Sequence, residues 1–338
     1  MRKLFGAALL AGLLSVSTAV HAKTTLRFSN WLPPTHPITV YMIKPWADSV
    51  AKASNGNVVV DILAKPLGKP PSHYDLARDG IADVTLGVHG YTPGRFVATQ
   101  IAEIPFLGES AEAISVAYWR THEKYLAGVS EHEGTKLLGV FTHGPGHIYT
   151  IAKPISQLSD LEGMKIRVGG GVVNDVGKAL GVVTLLKPAS ESYEILSRGV
   201  ADGIFFPKES IASFKINKVL RYATLIPGGM YNTSFFLVMN QRKWDRLSSA
   251  DQQAVDSVSG EAFAKLAGKG WDRADEEGVA GMKEGGMSIN NASPKLMGEL
   301  KSTLAGIEST VLQRLADKGV DGKAALAMLR AEAAAYRP

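Results

Sequence analysis

The chain contains no cysteine among its 338 residues, which excludes disulfide bonds, thiolate nucleophiles and cysteine-ligated metal sites. Beyond the N-terminus, no segment approaches the roughly 18 consecutive apolar residues that a membrane-spanning helix needs. The net charge is only +5, and no run of lysine and arginine forms the basic surface typical of nucleic-acid-binding proteins. The hydrolase signatures G-x-S-x-G and H-E-x-x-H are also missing. We therefore expect neither a nucleic-acid partner nor a metal or other cofactor.

The N-terminus has the composition of a secretory signal peptide. Arg2 and Lys3 form a basic start, residues 4–20 are an apolar run, and Ala-Val-His-Ala ends in a cleavage motif of A-x-A type at Ala22. A membrane anchor is the alternative, but the run is short for one. We expect cleavage after Ala22 and export to the periplasm. The remaining 316 residues (338 − 22) then carry a net charge of +3, because two positive charges are lost.

Two stretches of the chain alternate between strand and helix patterns. From 24 to 88 the order is strand, helix, strand, helix, strand, and the same order recurs from 164 to 206. This alternation is typical of parallel α/β sheets. LARDGIADV (76–84) and LSRGVADG (196–203) both end a helix with Leu-x-Arg, turn at a glycine and enter a strand through Ala-Asp. The sequence therefore predicts two similarly built α/β lobes.

Two apolar segments, HGPGHIYTIAKPI (143–155) and NTSFFLVMN (232–240), have the pattern of strands that carry the chain between the lobes. An alanine-rich helical pattern at about 248–284 begins with a serine cap and is long enough to span both lobes. The expected fold is therefore α/β and two-lobed, like that of a periplasmic binding protein, with crossing strands and one long helix. The predicted limits are lobe I at 23–148 plus about 238–275, lobe II at 149–237 plus about 276–310, and a C-terminal helical segment at about 311–338.

The stretch LEGMKIRVGGG (161–171) places Arg167 at the carboxyl end of a predicted strand, before three glycines and a helix. Ligands of open α/β sheets bind beyond the carboxyl ends of the strands, and a guanidinium matches the planar geometry of a carboxylate. We therefore predict that Arg167 binds an anion in the cleft, with Gly169 allowing close approach of the backbone. The alternative is a structural ion pair of Arg167 with Asp175 or Asp202.

Several stretches, taken together with KPISQLSDLEGMKIRVGGG, resemble one protein family. They are LRFSNWLPPTHP, TPGRF with AEIPFLG, SESYEILSRGVADGIFFP and FFLVMNQRKWDRLS. In this order and spacing they are similar to the solute-binding proteins of tripartite ATP-independent periplasmic (TRAP) transporters, of DctP type. The resemblance implies a receptor rather than an enzyme, in which Arg167 grips the carboxylate of an organic acid. It also implies two partners, the small and large integral-membrane subunits of a sodium-coupled importer.

Three departures from the family pattern indicate the kind of ligand. Gly146 or His147 stands where many members carry a second arginine, and Phe205-Phe206 replaces a polar pair. Trp31 stands where some relatives have a polar side chain. A second carboxylate would face these groups unpaired, at a cost of about 1–3 kcal/mol or more. We therefore expect a monocarboxylate with an apolar or aromatic body.

The remaining candidate contacts are aromatic, basic or histidine side chains near the expected cleft. Because successive residues of a strand point to opposite faces, only one of Phe205 and Phe206 can face the cleft, and we favour Phe206. His143 and His147 have the spacing of a helical zinc pair, but Gly-Pro-Gly between them precludes the helix. The predicted ligand-binding residues are Arg167, Phe206, Trp31, Tyr91, His147, Arg95, His36, His89 and Gly169.

Other functions remain compatible with the sequence. A receptor of the same type could instead bind a C4-dicarboxylate or a keto or hydroxy acid. An exported enzyme that acts on a small organic acid through a Tyr/His pair belongs to a different class, against which the missing nucleophile–base motifs argue. The binding component of another importer, or a sensory receptor, is a third alternative.

Overall fold

The computed structural model describes residues 23–338, so the predicted signal peptide lies outside the described residues. This part of the chain contains eleven β-strands arranged in two sheets. The strands are β1 (Thr24–Ser29), β2 (Val58–Ile62), β3 (Val84–Val88), β4 (Thr135–Thr142), β5 (His147–Thr150), β6 (Lys165–Val168), β7 (Val183–Leu186), β8 (Gly203–Phe206), β9 (Tyr222–Leu225), β10 (Ser234–Asn240) and β11 (Ser288–Asn291).

Helices connect and flank the strands. Within residues 23–338 they are α1 (Lys44–Ala53), α2 (His73–Arg78), α3 (Ala111–Thr121), α4 (Val172–Ala179), α5 (Ser192–Ser197), α6 (Glu209–Ser213), α7 (Gln241–Trp244), α8 (Ser249–Ser257), α9 (Glu261–Glu284), α10 (Pro294–Ala316) and α11 (Gly322–Ala335). A π-helical turn at Ile38–Ile43 leads into α1, and a 3-10 segment at Ala98–Glu103 precedes α3. None of these described helices has the length and apolar character to cross a lipid bilayer.

Both sheets are built on the same plan. The first has the order β2-β1-β3-β10-β4, in which β1, β2 and β3 are parallel and β10 is antiparallel to both neighbours. The second has the order β11-β9-β5-β8-β6-β7, in which β6, β7 and β8 are parallel and β5 is antiparallel to both neighbours. In each unit the first strand lies between the other two parallel strands. The predicted two-lobed α/β fold is therefore confirmed.

The repeated Ala-Asp dipeptide performs the same task in both lobes. Asp83 precedes β3, and its carboxylate accepts the backbone N–H of Arg27 on β1 (2.8 Å). Asp202 precedes β8, and its carboxylate accepts the backbone N–H of Lys165 on β6 (2.8 Å). Each aspartate thus fixes the third strand of its unit against the first.

Two chain segments cross between the lobes. β4 is followed by β5, and β9 by β10, so each segment begins in one sheet and ends in the other. Between the sheets the segments stay paired, because His143 N–H donates to Thr233 O (3.2 Å) and Gly146 N–H donates to Tyr231 O (2.9 Å). The lobe boundaries predicted at 148/149 and 237/238 fall inside β5 and β10.

The helix predicted at 248–284 is in fact two helices. α8 and α9 are separated at Gly260, whose φ of +60° is a left-handed conformation that favours glycine. The N–H of Gly260 donates to Leu138 O on β4 (2.7 Å), so the sheet holds the break in place. The prediction of one continuous helix was therefore wrong. The helix α9, which has 24 residues, contacts α3 in the first lobe and α6 in the second.

One of the hydrophobic cores extends beneath both lobes. It contains Ile101 and Tyr118 from the first lobe, Ile166 and Val176 from the second, and Leu304 from α10. Of the other three, one large core fills each lobe, and a small one surrounds Phe96 in the first lobe. The C-terminal helices reinforce this shared base, because α10 packs against α4 and α11 packs against α3. The lobes are therefore joined by packed apolar side chains as well as by the crossing segments.

Candidate ligand-binding site

A cavity with about 430 Å³ of empty space, its mouth included, lies between the lobes. It is bordered by residues at or just beyond the carboxyl ends of β1, β3, β6 and β8, where ligands of open α/β sheets bind. The lining residues are Trp31, Leu32, His36, Ile38, Val88, Tyr91, His143, Arg167, Gly169, Ala189, Phe206, Pro207, Ser210, Phe214, Tyr231, Thr233, Phe235 and Trp271.

Arg167, on β6, is the cationic side chain of this lining and is only 2% exposed. Its Nε donates to the carbonyl of Lys187 (2.9 Å). Its guanidinium carbon lies 4.4 Å from the centroid of the Phe206 ring, and one terminal nitrogen is 3.5 Å from the hydroxyl of Tyr91. These contacts fix the plane of the guanidinium, and the side chain borders the cavity.

The two aspartates that could neutralise Arg167 are engaged elsewhere. Asp175 pairs with Arg314 (2.6 Å), and Asp202 accepts the backbone N–H of Lys165 (2.8 Å). Within residues 23–338 no carboxylate forms an ion pair with Arg167. Because a buried charge without a counter-ion is destabilising by several kcal/mol, the cavity strongly favours an anionic ligand.

Tyr91 provides a second polar group beside Arg167. Its hydroxyl oxygen accepts the N–H of Ala189 (2.8 Å) and faces the Arg167 nitrogen (3.5 Å). Both of these neighbours are donors, so the phenolic proton of Tyr91 is left for another acceptor. Gly169 borders the same space, with Arg167 and Tyr91 as its nearest side chains. A carboxylate placed here would accept hydrogen bonds from two side chains.

The rest of the cavity is largely aromatic. Phe206 stacks on Phe214 with 5.8 Å between ring centroids, and Trp31 meets Tyr91 edge to face at 6.0 Å. Phe205 is 0% exposed and belongs to the core beneath both lobes. Of the two adjacent phenylalanines on β8, Phe206 is therefore the one that lines the cavity.

His36 lies at the edge of the cavity, where the two lobes meet. Its Nε2 is 3.3 Å from Oε1 of Glu209 on α6, and its Nδ1 accepts the N–H of Ile38 (3.2 Å). Burial lowers the pKa of His36, while the Glu209 carboxylate opposes that shift. The proton of a neutral His36 therefore lies on Nε2, which forms no hydrogen bond within residues 23–338.

Two predicted contacts, His89 and Arg95, lie outside the cavity lining. His89 is buried, and its Nε2 lies 2.9 Å from Nε2 of His132. Arg95 pairs with Asp75 (2.7 Å) and covers the ring of Tyr74, with 4.8 Å from guanidinium carbon to ring centroid. No group of three or more histidine, aspartate or glutamate side chains in residues 23–338 is arranged to hold a metal ion.

His147 also lies outside the lining. Its Nδ1 accepts the N–H of Ile226 (3.0 Å), which ties it to the second crossing segment. At the neighbouring Gly146, a Cβ atom would fall less than 3.0 Å from three carbons of the Tyr231 ring. The space of a side chain at position 146 is therefore already filled by Tyr231, so a second arginine cannot stand there without displacing that ring.

Sequence reasoning did not identify the residues that the crossing segments and α9 contribute. Tyr231, Thr233 and Phe235 alternate along the second crossing segment and all line the cavity. This alternation is the signal that could have found them, since every second residue of an extended chain faces the same side. Trp271 of α9 also lines the cavity, and no local pattern marks it.

His143 of the first crossing segment lines the cavity as well. Its Nδ1 lies within hydrogen-bonding distance of the Gly144 carbonyl. Because a carbonyl oxygen only accepts, Nδ1 carries the ring proton. Burial lowers the pKa of His143 to about 4, so the ring is neutral near pH 7 and its Nε2 is an acceptor.

A two-lobed α/β fold with a cavity between the lobes is the architecture of solute-binding proteins, a class in which hinged lobes close on a ligand. The family model for bacterial extracellular solute-binding proteins of family 7, DctP, matches residues 28–307. The chain belongs to this family, the solute-binding proteins of TRAP transporters. Members of the family are periplasmic binding proteins that take small organic acids and work with membrane permeases.

Two solved structures and one sequence relative illustrate the similarity. A TRAP periplasmic solute-binding protein from Bordetella bronchiseptica, with bound (R)- and (S)-mandelate, is 43% identical, with a TM-score of 0.90 over 92% of this chain and 99% of that one. A marine metagenome TRAP protein from an unidentified microbe, specific for aromatic acids and solved with metahydroxyphenylacetate, is 33% identical, with a TM-score of 0.87 over 94% and 100% of the two chains. A Comamonas testosteroni protein named outer membrane transporter protein TsaT is 31% identical over 99% of both chains.

Proposed function

We propose that this protein is the periplasmic receptor of a TRAP importer for an aromatic monocarboxylate. Arg167 pairs with the ligand's carboxylate, the aromatic side chains enclose its ring, and the loaded receptor delivers it to the small and large membrane subunits. The N-terminal basic and apolar segment supports export through a cleaved signal peptide. Because the ligand contacts both lobes, it binds the closed arrangement better than an open one, which is what closure requires.

The observation that carries this proposal is the buried guanidinium of Arg167, without an ion-pair partner in residues 23–338, in a cavity whose other side chains are mostly apolar or aromatic. One carboxylate satisfies the arginine. A second carboxylate on the same ligand would face Phe206, Phe214 or Trp271, where it would be desolvated without a partner, at a cost of about 1–3 kcal/mol or more. A ligand ring in that place gains buried apolar area and about 0.5–1.5 kcal/mol from aromatic pairing.

The two similar structures support the same ligand class. Mandelate and metahydroxyphenylacetate, the ligands of those proteins, each carry one carboxylate and one aromatic ring. The sequence identities of 43% and 33% therefore favour an aromatic monocarboxylate as the ligand of this chain.

Thermal unfolding in the presence of a panel of acids tests the proposal. Benzoate, phenylacetate and mandelate are compared with succinate and malate at equal concentration. A ligand present at 100 times its Kd adds about 2.7 kcal/mol of apparent stability, so the aromatic acids should raise the Tm and the dicarboxylates should not. A larger shift with succinate or malate would contradict the ligand class, and no shift with any organic acid would contradict the receptor function itself.

A further inference from the structure

The turn after β3 in the first lobe lies directly against the turn after β6 in the second. A Cβ atom at Gly90 would fall 2.8 Å from the carbonyl carbon and oxygen of Gly170 and 2.9 Å from the nitrogen of Gly171. A Cβ atom at Gly170 would in turn overlap the carbonyl oxygen of Gly90. These neighbours are backbone atoms, which cannot rotate away as the end of a flexible side chain can. A side chain at position 90 is therefore possible only if the two turns move apart.

The requirement for glycine at position 90 comes from the opposite lobe and not from the turn itself. Gly90 is the central residue of a 3-10 turn at His89–Tyr91. Its φ lies outside the left-handed region, which Gly170 occupies with a φ of +85°. Alanine adopts the conformation of Gly90 without strain. The substitution Gly90→Ala thus introduces an overlap with Gly170 and Gly171 and leaves the backbone of its own turn unstrained.

Tyr91, the residue after Gly90, connects this contact between the lobes to Arg167. Its hydroxyl accepts the N–H of Ala189 (2.8 Å) and lies 3.5 Å from a terminal nitrogen of Arg167. Tyr91 follows β3 in the first lobe, whereas Ala189 and Arg167 belong to the second. Both distances therefore depend on how closely the two turns approach. A side chain at position 90 would carry the Tyr91 hydroxyl away from Arg167.

We propose that Gly90 is a positioning residue of the ligand site, which seats its turn on Gly170 and so holds the Tyr91 hydroxyl of one lobe beside the Arg167 guanidinium of the other. A single carboxylate is then bound by both lobes at once. This inference rests on the proposed function and adds the residue that sets the geometry of carboxylate recognition. Gly90 itself lies outside the cavity lining and acts through Tyr91.

A double-mutant cycle of Gly90→Ala and Tyr91→Phe tests the inference, with phenylacetate binding measured by isothermal titration calorimetry. In the unmodified protein, Tyr91→Phe should raise the Kd about fivefold, because the carboxylate loses one hydrogen bond. Gly90→Ala alone should raise the Kd at least about fivefold, because the overlap forces the turns apart. In the Gly90→Ala background, Tyr91→Phe should change the Kd by less than about twofold, since the hydroxyl has already left Arg167.

Gly128→Ala is the matched control. Gly128 is also the central residue of a 3-10 turn in the first lobe, at Ala127–Val129, and its φ also lies outside the left-handed region. In the described part of the chain nothing lies within 4 Å of a Cβ atom built there. This variant should keep the Kd of the unmodified protein, and Tyr91→Phe should still cost about fivefold in its background.

The outcomes separate this inference from the proposed function. An unchanged Kd in Gly90→Ala would overturn the positioning role and leave the aromatic-acid receptor intact. An equal cost of Tyr91→Phe with and without Gly90→Ala would also overturn it, because the two residues would then act independently. Should Gly90→Ala not fold, Tyr91→Phe alone decides, since an unchanged Kd there would leave Gly90 with nothing to position. If the unmodified protein binds neither phenylacetate, benzoate nor mandelate, the proposed function fails together with this inference.

Discussion

Phe205 and Phe206 are neighbours on β8, yet the strand directs them to different environments. Phe206 lies under the guanidinium of Arg167, at 4.4 Å from guanidinium carbon to ring centroid, whereas Phe205 is buried in the core that joins the lobes. The contact of Phe206 with a desolvated arginine is a cation–π interaction, worth about 0.5–2 kcal/mol. The ring therefore both orients the cation and forms the wall against which a ligand ring would pack.

The phenylalanine pair gives a matched prediction. Phe206→Leu keeps the site apolar but removes the π-face, so we expect the Kd for phenylacetate to rise by about 2- to 30-fold, with little change in stability. Phe205→Leu should lower the free energy of unfolding by about 1 kcal/mol, because the core is repacked, and leave the Kd unchanged. Calorimetry and urea unfolding of both variants check this. A larger loss of affinity in Phe205→Leu than in Phe206→Leu would contradict the assignment of Phe206 to the cavity and Phe205 to the core.

Glycine is required at position 146 because the ring of Tyr231 occupies the space that a side chain would need. A Cβ atom there would lie less than 3.0 Å from three carbons of the Tyr231 ring, and such overpacking is destabilising by about 1–3 kcal/mol. We therefore expect Gly146→Ala to lower the free energy of unfolding by that amount and to weaken ligand binding, because Tyr231 lines the cavity.

The control for that substitution is a glycine with free space around it. Nothing lies within 4 Å of a Cβ atom built at Gly298 in α10, so Gly298→Ala should raise the free energy of unfolding by about 0.5–1 kcal/mol through helix propensity. Urea unfolding of both variants makes the comparison. Equal effects of the two substitutions would show that Tyr231 does not hold the position described for it.

At the scale of whole elements, Glu103 ties the end of the Ala98–Glu103 segment to α4 and to β10. Its carboxylate accepts the N–H of Val172, the first residue of α4 (2.9 Å), and both the N–H and the hydroxyl of Ser234 at the start of β10 (2.9 Å each). Burial raises the pKa of Glu103 to about 7, against these hydrogen bonds, which lower it. The glycines that follow Arg167 lead directly into this contact.

Glu103→Gln tests that connection. The amide nitrogen cannot accept, so at least one of the N–H groups of Val172 and Ser234 loses its partner, at about 1–3 kcal/mol. We expect both stability and ligand affinity to fall, since α4 and the loop beside Arg167 shift together. Glu131→Gln is the control, because Glu131 accepts the N–H groups of Val97 and Ala98 within the first lobe. Glu131→Gln should reduce stability alone. Measurements of stability and ligand affinity at pH 8 should therefore distinguish the two variants.

Element order could be predicted from the sequence better than element length. The strand at Lys165–Val168 and the helix after its glycines follow from local patterns, and the structure contains both. The break at Gly260 does not follow, because a glycine inside a helical pattern is often tolerated. What decides it is the bond from Gly260 N–H to Leu138 O, which joins residues 122 positions apart (260 − 138). Such distant partners are invisible to a local pattern.

Local sequence patterns also predict only some of the residues that line the cavity. Arg167 could be predicted because a strand, three glycines and a helix give it a definite place in any α/β sheet. His143, Tyr231 and Trp271 could not, since they reach the cavity from segments that only the pairing of the two lobes brings together. The histidines were the least predictable, because a buried histidine and a ligand contact look alike in a sequence.

At the scale of the whole molecule, histidine is buried throughout the described part of the chain. All seven histidines in residues 23–338 have lowered pKa values, chiefly through burial. In the unfolded chain each takes up a proton below about pH 6.5, whereas in the folded chain the pKa is about 4 for His122 and about 3 for His132. The unfolded state therefore binds more protons in this window, and stability falls as the pH falls.

Buried carboxylic acids oppose this effect only in part. Glu103 and Asp275 have pKa values raised to about 7 by burial, so they hold protons in the folded state that the unfolded state has released. They stabilise the fold as the pH falls from 7 toward 4, and the pKa of Asp272, also raised by burial, acts in the same direction. Three acids therefore stand against seven histidines. Since each group changes the free energy of unfolding by up to about 1.4 kcal/mol per pH unit, the histidines dominate.

We therefore expect the free energy of unfolding to drop by at least about 3 kcal/mol between pH 6.5 and pH 5. Urea unfolding at half-unit pH steps measures this. His122→Phe removes one such group and should make the pH dependence shallower by up to about 1.4 kcal/mol per pH unit. Stability that is constant or increasing toward pH 5 would mean that the histidines are not buried in the neutral form.

Recognition of the ligand's carboxylate by Arg167 can be tested by comparing the binding of phenylacetate with that of phenylacetamide. Calorimetry should show the unmodified protein preferring the acid by about 30-fold or more, as a buried charge pair allows. In Arg167→Gln the acid and the amide should bind equally weakly, while Arg95→Gln, which changes an arginine paired with Asp75 outside the cavity, should keep the full preference. An undiminished preference for the acid in Arg167→Gln would contradict the claim.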